Sequence, residues 1–297
     1  MDGLFKDKMK RVRKIIDLKA PIGVFDSGMG GLTVMKALSQ QLPMEAVLYY
    51  GDTAHVPYGG RDPQELQGFA LRISDYLIRQ GCKMIIIACN SSTALAYELI
   101  NARSPVPVVG VIEPGIHSAL RNGGSGPIGV IATQATAQSG VYQRILAREA
   151  PERKSYVVAC PPFVPLVEAG KVNGSEAAKA VRECLAPLKD QGIRSLIFGC
   201  THYPFLSEAI QSFMGDGVRL IDPAWETVNQ AKAILFEKNY LKMLRGLPEH
   251  RFICSGDPDQ FAYFGSFFLG MKIQDVDRVV LDKEEAACEI AAESRMN

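Results

Sequence analysis

The sequence lacks several features that would place it in a common functional class. No apolar run approaches the ~18 residues that a membrane span needs, and no Gly-Lys-Ser/Thr of a nucleotide-binding P-loop occurs. The net charge of the 297 residues is only +1, which gives the whole molecule no electrostatic preference for nucleic acid or lipid. We therefore expect a cytoplasmic protein with neither a nucleic-acid nor a membrane partner.

Cysteine is present, but its spacing fits none of the usual paired sites. The seven cysteines include no C-x-x-C pair, which disfavours a zinc site and a thioredoxin-type redox motif. Their odd number also disfavours a complete disulfide framework. We expect reduced thiols and no bound metal.

The first 20 residues are the one strongly charged segment. They hold seven basic and three acidic residues, a net charge of +4. Phe5, Met9, Val12 and Ile16 recur at helical spacing, and no uninterrupted apolar core of a signal peptide is present. We interpret residues 1–20 as a basic N-terminal extension, either a leader or an accessory helix, with a regulatory or surface-binding arm as the alternative.

From residue 22 onward, short apolar strands alternate with helical segments, which is typical of parallel α/β sheets. One predicted strand covers residues 106–112. The glycine-rich segment 122–127 interrupts the pattern, which then repeats. Ile22 and Ile128 are 106 positions apart, Cys89 and Cys200 are 111 apart, and Glu113 and Asp222 are 109 apart.

These nearly constant offsets predict an internal duplication. We expect an α/β fold with two doubly wound parallel-sheet domains related by pseudo-twofold symmetry. The first domain comprises residues 21–113 plus 224–297, and the second comprises residues 114–223. The cleft between them is the expected ligand site.

Two cysteines stand at the carboxyl ends of predicted strands, where ligands bind in such folds. Cys89 follows the apolar residues 85–88 and precedes Asn90 and Ser91. Cys200 follows the apolar residues 196–198 and precedes Thr201 and His202. A thiol just before a helix N-terminus has a lowered pKa. The other five cysteines are expected to be buried as small apolar side chains.

The two thiols allow two kinds of chemistry. A single thiol, with His202 as its base, would suit nucleophilic catalysis. Two opposed thiols, one removing a proton and the other supplying one, would suit an amino-acid racemase, with Asp26 orienting one thiol and His202 the other. The glycines at 28, 30 and 31 are expected to let backbone amides approach a small anion such as a carboxylate.

Five motifs in this order resemble the glutamate racemase family, a branch of the cofactor-independent aspartate/glutamate racemase superfamily. They occupy residues 26–31, 57–59, 89–90, 163–168 and 199–204. The resemblance covers nearly all of residues 21–270, and His202 after Cys200-Thr201 points to the glutamate branch. The resemblance implies interconversion of L- and D-glutamate without pyridoxal phosphate or metal. It also implies a supply of D-glutamate for peptidoglycan synthesis.

The resemblance also implies roles for individual residues. Cys89 with Asp26 would act on D-glutamate, Cys200 with His202 on L-glutamate, and Glu168 would support the second side. The implied substrate contacts are Asp26, Ser27, Pro57, Tyr58, Gly59, Cys89, Asn90, Ser91, Cys200, Thr201 and His202. The family usually has Thr where Ser91 stands, so a hydroxyl is retained there.

Family resemblance further implies a homodimer and, for members with a longer leader, a cell-wall precursor as an effector. Three alternatives remain open: racemisation of aspartate or another acidic amino acid, a one-thiol cysteine hydrolase or lyase on the same scaffold, and a catalytically silent dicarboxylate-binding protein. Retention of both thiols argues against the second and third.

Overall fold

The computed structural model describes residues 17–242 and 248–281. The amphipathic positions of the N-terminal extension lie outside these ranges, as does Cys288. Within the described ranges, no helix has both the length and the hydropathy to cross a membrane.

The strands form two separate sheets in which every pair of neighbours is parallel. The strands are β1 Ile22–Asp26, β2 Val47–Gly51, β3 Met84–Ile87, β4 Val108–Gly110, β5 Ile128–Ala132, β6 Ser155–Ala159, β7 Ser195–Gly199, β8 Arg219–Ile221, β9 Arg251–Cys254 and β10 Val276–Arg278. The helices are α1 Leu32–Gln41, α2 Pro63–Arg79, α3 Asn90–Arg103, α4 Ile112–Asn122, α5 Gln134–Gln138, α6 Val141–Glu149, α7 Phe163–Glu168, α8 Ser175–Lys189, α9 Ser207–Met214, α10 Ala224–Glu237 and α11 Pro258–Leu269.

The two sheets share one connectivity. The six-stranded sheet has the order β10-β9-β2-β1-β3-β4, and the four-stranded sheet has the order β6-β5-β7-β8. In each sheet the first strand of the repeat lies between the second and the third, so β2-β1-β3-β4 corresponds to β6-β5-β7-β8. The predicted α/β fold with two parallel sheets is confirmed, and the shared order supports the inferred duplication.

Helices cover both faces of the first sheet, which explains its continuous apolar strands. Alternate residues of β1 point to opposite faces: Val24 joins the core beneath α1 and α10, whereas Phe25 joins the core beneath α2 and α3. The strands β1, β2 and β3 are buried along their whole length. A strand buried on both faces cannot alternate in polarity, so its sequence is a plain apolar run.

One predicted strand is wrong at its end. The strand expected over residues 106–112 is only Val108–Gly110, and Ile112 already begins α4. Glu113 and Pro114 therefore lie in the first turn of a helix, where proline is tolerated because its missing N–H would have no partner. The side chains of Ile112 and Ile116 pack in the same core as Ile128 of the second sheet.

The chain returns to the first sheet near its C-terminal end. Val228 and Leu235 of α10 pack in the core of that sheet. The strand β9 then pairs with β2 and extends the sheet on that side. The domain boundaries at 113 and 224 stay a prediction, which these placements support.

A buried ion pair fixes the start of β3, the strand that leads to Cys89. Lys83 Nζ lies 2.6 Å from Glu45 Oε2, and both side chains are almost fully excluded from solvent. The same ammonium donates to the backbone carbonyls of Leu18 and Tyr240, and Glu45 accepts from the N–H of Lys242. One cation thus joins three distant parts of the chain.

We expect Lys83→Met to lower the free energy of unfolding by about 3–5 kcal/mol, because the Glu45 carboxylate would stay buried without a counter-charge. Urea denaturation measures this change. Lys171→Met is the matched control, since it removes an exposed pair with Glu176 that we expect to contribute less than about 1 kcal/mol. Equal losses in the two variants would contradict the structural role of the buried pair.

Candidate active site

The carboxyl ends of the two sheets enclose one cavity of about 350 Å³. Both predicted thiols, Cys89 and Cys200, line it. A negative charge on Cys200 would raise the pKa of Cys89. The cavity also brings together Ser27, Pro57, Tyr58, Gly59, Asn90, Ser91, Thr201 and His202. Asp26 and Glu168 are the two predicted site residues that lie behind this lining.

Cys89 occupies the position just before α3. Its backbone is extended, with φ −73° and ψ 125°, and it is the N-cap residue of that helix. The pKa of its thiol is raised to about 11: burial and then the charge of Asp26 raise it, whereas the N–H and hydroxyl of Ser92 lower it. Burial thus outweighs the helix N-terminus, and the expected lowering of this pKa is not found.

Cys200 lies in a different setting from the one predicted. The chain makes a turn after β7, then a 3₁₀ turn at Tyr203–Leu206, and α9 begins only at Ser207. Pro204 stands early in the 3₁₀ turn. Cys200 is therefore not at an α-helix N-terminus, and its helper is the side chain of His202.

His202 connects Cys200 to Glu168. Its Nδ1 lies 3.8 Å from Cys200 Sγ, and its Nε2 lies 2.5 Å from Glu168 Oε1. Burial of the ring lowers the pKa of His202, but hydrogen bonds to Cys200 and Glu168 outweigh this and raise it to about 10. The imidazole is thus held in its charged form at neutral pH, beside a sulfur to which it can donate a proton.

Asp26 is completely buried at the end of β1. One carboxylate oxygen accepts from the N–H of Gly28 at 3.0 Å, and the other accepts from the hydroxyl of Thr201 at 3.3 Å. Burial raises the pKa of Asp26, while His202, the backbone N–H groups of Gly28 and Gly31, and Thr201 oppose this. The glycine loop thus binds a carboxylate of the chain itself, that of Asp26. Approach of the loop amides to a ligand anion stays a prediction.

The loop that carries Tyr58 and Gly59 is held by a buried acid that the sequence analysis missed. Asp52 accepts hydrogen bonds from the hydroxyls of Tyr58, at 2.5 Å, and Ser255, at 2.7 Å. His55 Nδ1 lies 2.8 Å from the same carboxylate. Ser255 belongs to the C-terminal part of the chain, so sequence reasoning had no signal for this contact.

Polar contacts join the two halves across the cavity. Ser91 Oγ lies 3.0 Å from Thr133 Oγ1 and 3.2 Å from Thr136 Oγ1. The Tyr142 hydroxyl donates to Asn90 Oδ1 at 2.9 Å. Because this bond occupies the amide oxygen, the amide nitrogen of Asn90 remains available as a donor to a ligand.

The cavity contains further side chains that were not predicted. Thr133 and Gln134 line it, and the duplication could have revealed Thr133, which stands 106 positions after Ser27. Cys160 is buried in the core of the second sheet, as expected, and it also lines the cavity. Cys82 and Cys254 are buried as expected, and Cys184 is half-buried.

In the part of the chain that the structure describes, no group of three or more His, Cys, Asp and Glu side chains is arranged to hold a metal ion.

A profile of the Asp/Glu/Hydantoin racemase family matches residues 22–231, more than half of the chain. The chain therefore belongs to this family, a class of amino-acid racemases.

Several of the similar proteins are glutamate racemases. The chain is 42% identical over 259 residues to glutamate racemase of Picosynechococcus sp., covering 86% of this chain and 92% of that relative. It is 41% identical over 267 residues to glutamate racemase of Bacillus cereus, covering 90% and 99%. A crystal structure of glutamate racemase from Francisella tularensis, in complex with D-glutamate, superposes with a TM-score of 0.84 at 37% identity, covering 90% of this chain and 99% of that one. The resemblance to the glutamate racemase family is thus confirmed.

Gly30 packs closely against the segment that carries Cys200 and His202. A Cβ at this position would lie 2.4 Å from Thr201 Oγ1 and 2.9 Å from His202 Nδ1. We expect Gly30→Ala to move the segment that carries Cys200 and to destabilise the protein by about 1–3 kcal/mol. Thermal unfolding and the rate of Cys200 alkylation measure the two effects.

Gly60→Ala is the matched control, because a Cβ at Gly60 would meet no atom within 4 Å. We expect it to leave both measurements near their original values. A Gly30→Ala protein with unchanged stability and unchanged Cys200 reactivity would show that the close approach does not constrain the site.

Proposed function

We propose that this chain interconverts L- and D-glutamate without a cofactor, by moving the α-proton between the thiols of Cys89 and Cys200. The observation that carries the proposal is the presence of both thiols in one cavity, with His202 beside Cys200 and the charge of Asp26 acting on Cys89. The glutamate racemases among its relatives, one of them crystallised with D-glutamate, support glutamate as the substrate.

The proton balance of the reaction needs no other reactant. One sulfur, as thiolate, takes the α-proton and becomes a thiol, and the negative charge moves onto the substrate carboxylate. The opposite thiol then gives its proton to the other face of Cα and becomes a thiolate. A donor such as the Asn90 amide would stabilise the charge on the carboxylate in a site that excludes water.

The roles of the helpers are proposed on the family resemblance, and the contacts of His202 support one of them. Cys89 with Asp26 acts on D-glutamate, and Cys200 with His202 acts on L-glutamate. The contact of His202 with Cys200 supports the second pairing, and Glu168 holds the imidazole charged. The other predicted substrate contacts, among them Ser27, Tyr58 and Ser91, line the same cavity.

The wider setting of the reaction is proposed on the resemblance alone. The enzyme would work in the cytoplasm, as a homodimer, and supply D-glutamate for peptidoglycan synthesis. The cell-wall-precursor effector and the role of residues 1–20 stay predictions.

Incubation of one pure glutamate enantiomer with the protein in deuterated water tests the mechanism. We expect the circular-dichroism signal to decay and deuterium to enter the product well before the remaining substrate, because each thiol exchanges its proton on its own side. Equally early deuteration of both enantiomers would rule out two separate bases. A signal that does not decay would rule out racemisation.

Three further measurements complete this test. Cys89→Ala and Cys200→Ala are each expected to abolish racemisation, and near-normal turnover in either would remove that thiol from the mechanism. Aspartate replaces glutamate in a parallel reaction, and faster turnover of aspartate would favour the racemase of another acidic amino acid.

The charge on His202 predicts a pH dependence. Because hydrogen bonds to Cys200 and Glu168 raise the pKa of His202 to about 10, activity that needs the imidazolium falls as the pH rises through about 10. Glu168→Gln removes the carboxylate charge, so we expect the alkaline limb of the pH–rate profile to move to lower pH. By linkage, the contribution of charged His202 to the free energy of unfolding is complete below the ordinary histidine pKa of 6.5. This contribution is lost as the pH rises through about 10.

Glu149→Gln provides the control for this experiment. Glu149 lies 3.8 Å from His117 in a partly exposed His–Glu pair, so its removal changes a similar pair outside the cavity. We expect its pH–rate profile to match that of the unmodified protein. An alkaline limb that stays in place in Glu168→Gln would show that Glu168 does not hold the charge on His202.

A further inference from the structure

Ser92 carries a buried hydroxyl that the proposed mechanism has not used. It is the third residue of α3 and is 1% exposed. Its Oγ makes no hydrogen bond with any described residue. A buried hydroxyl without a partner is costly, so its retention needs a physical reason.

The position of Ser92 in the helix supplies that reason. Cys89 is the N-cap residue of α3, and an N-cap side chain accepts from the N–H of the second or third helical residue. In the capping box, the side chain of the third residue also reaches back toward the N-cap residue. Ser92 is that third residue, so both its N–H and its hydroxyl are on the side of the Cys89 sulfur.

The cap at Cys89 is incomplete in the structure. The sulfur accepts no capping hydrogen bond, and a neutral thiol is a weak acceptor. Once Cys89 is ionised, the N–H and hydroxyl of Ser92 are the groups that stabilise the thiolate, against burial and the charge of Asp26. The unpartnered hydroxyl therefore gains an acceptor only when the thiol loses its proton.

We propose that Ser92 is a positioning residue for Cys89, whose N–H and hydroxyl together cap the sulfur in its thiolate form and aim it at the substrate α-carbon. Ser92 keeps its own hydrogen throughout: the thiolate takes the α-proton from one enantiomer, and the thiol returns a proton to the carbanion formed from the other. The inference rests on the proposed function for this catalytic consequence, but the contact itself does not.

The two thiols would then be assisted by different chemistry. Cys200 is assisted by the imidazole of His202, which titrates. Cys89 would be assisted by a hydroxyl and an amide, which do not titrate in the working pH range. Loss of Ser92 should therefore change the ionisation of Cys89 and leave that of Cys200 unaltered.

The test measures alkylation of each cysteine by iodoacetamide across pH, with the modified peptides quantified by mass spectrometry. In Ser92→Ala, we expect alkylation of Cys89 at neutral pH to slow by about tenfold or more, with its pH profile moved to higher pH, since a hydrogen bond to a charged group is lost. Alkylation of Cys200 in the same sample should not change. An unaltered Cys89 profile would overturn the inference.

Two sets of variants separate the hydroxyl from packing. Ser195→Ala removes another fully buried serine hydroxyl without a partner, at the start of β7, and is expected to leave Cys89 unchanged. Ser92→Thr keeps a hydroxyl and should retain the original profile, whereas Ser92→Val has the same shape without it and should behave as Ser92→Ala. This pair decides the matter if Ser92→Ala does not fold. Equal Cys89 alkylation profiles in Ser92→Thr and Ser92→Val, or slower Cys89 alkylation in Ser195→Ala, would overturn the role of the hydroxyl.

The alkylation assay also separates this inference from the proposed function. It follows thiol ionisation and needs no turnover. A protein that does not racemise glutamate, yet shows the Cys89 shift, would refute the proposed function alone. A protein that racemises glutamate with an unaltered Cys89 profile in Ser92→Ala would refute the inference alone.

Discussion

The site depends on a meeting of two sheet edges. In a parallel sheet every strand ends on the same side, so β1 and β3 of the first sheet bring Asp26 and Cys89 to one edge. The edge of the second sheet faces it, and buried polar contacts such as Ser91–Thr133 and Asn90–Tyr142 join the two. Each thiol has its reacting position only because the opposite sheet closes the cavity.

The duplicated halves have diverged in how they treat their thiols. Cys89 is the N-cap residue of α3. Its burial and the charge of the buried Asp26 hold the pKa of its thiol high. Cys200 enters a turn and contacts a charged histidine that a glutamate supports. A racemase has two mirror-related tasks, but a chain of L-amino acids cannot build mirror-image surroundings. Two chemically different helpers on one repeated scaffold meet that constraint.

The sequence was informative where a local pattern carries the structure. Strands such as β1 could be predicted because burial on both faces leaves a plain apolar run, and the two thiols because each directly follows such a run. Features that depend on long-range contacts or on the exact backbone geometry of a turn could not be predicted. Asp52 and Ser255 are 203 positions apart, and no local pattern joins them. The delayed start of α9 depends on turn geometry after Cys200, which the apolar run before it does not encode.

The chain passes between the two sheets twice, once into α4 and once into α10, and these two crossings lie side by side. The two crossings pack tightly, because a Cβ at Gly115 would lie only 3.0 Å from Pro223 Cγ. The thiols belong to different sheets, and these two crossings are the places where the chain itself ties one sheet to the other. The alignment of the two sulfurs across the cavity therefore depends on this packing as well as on the polar contacts at the cavity itself.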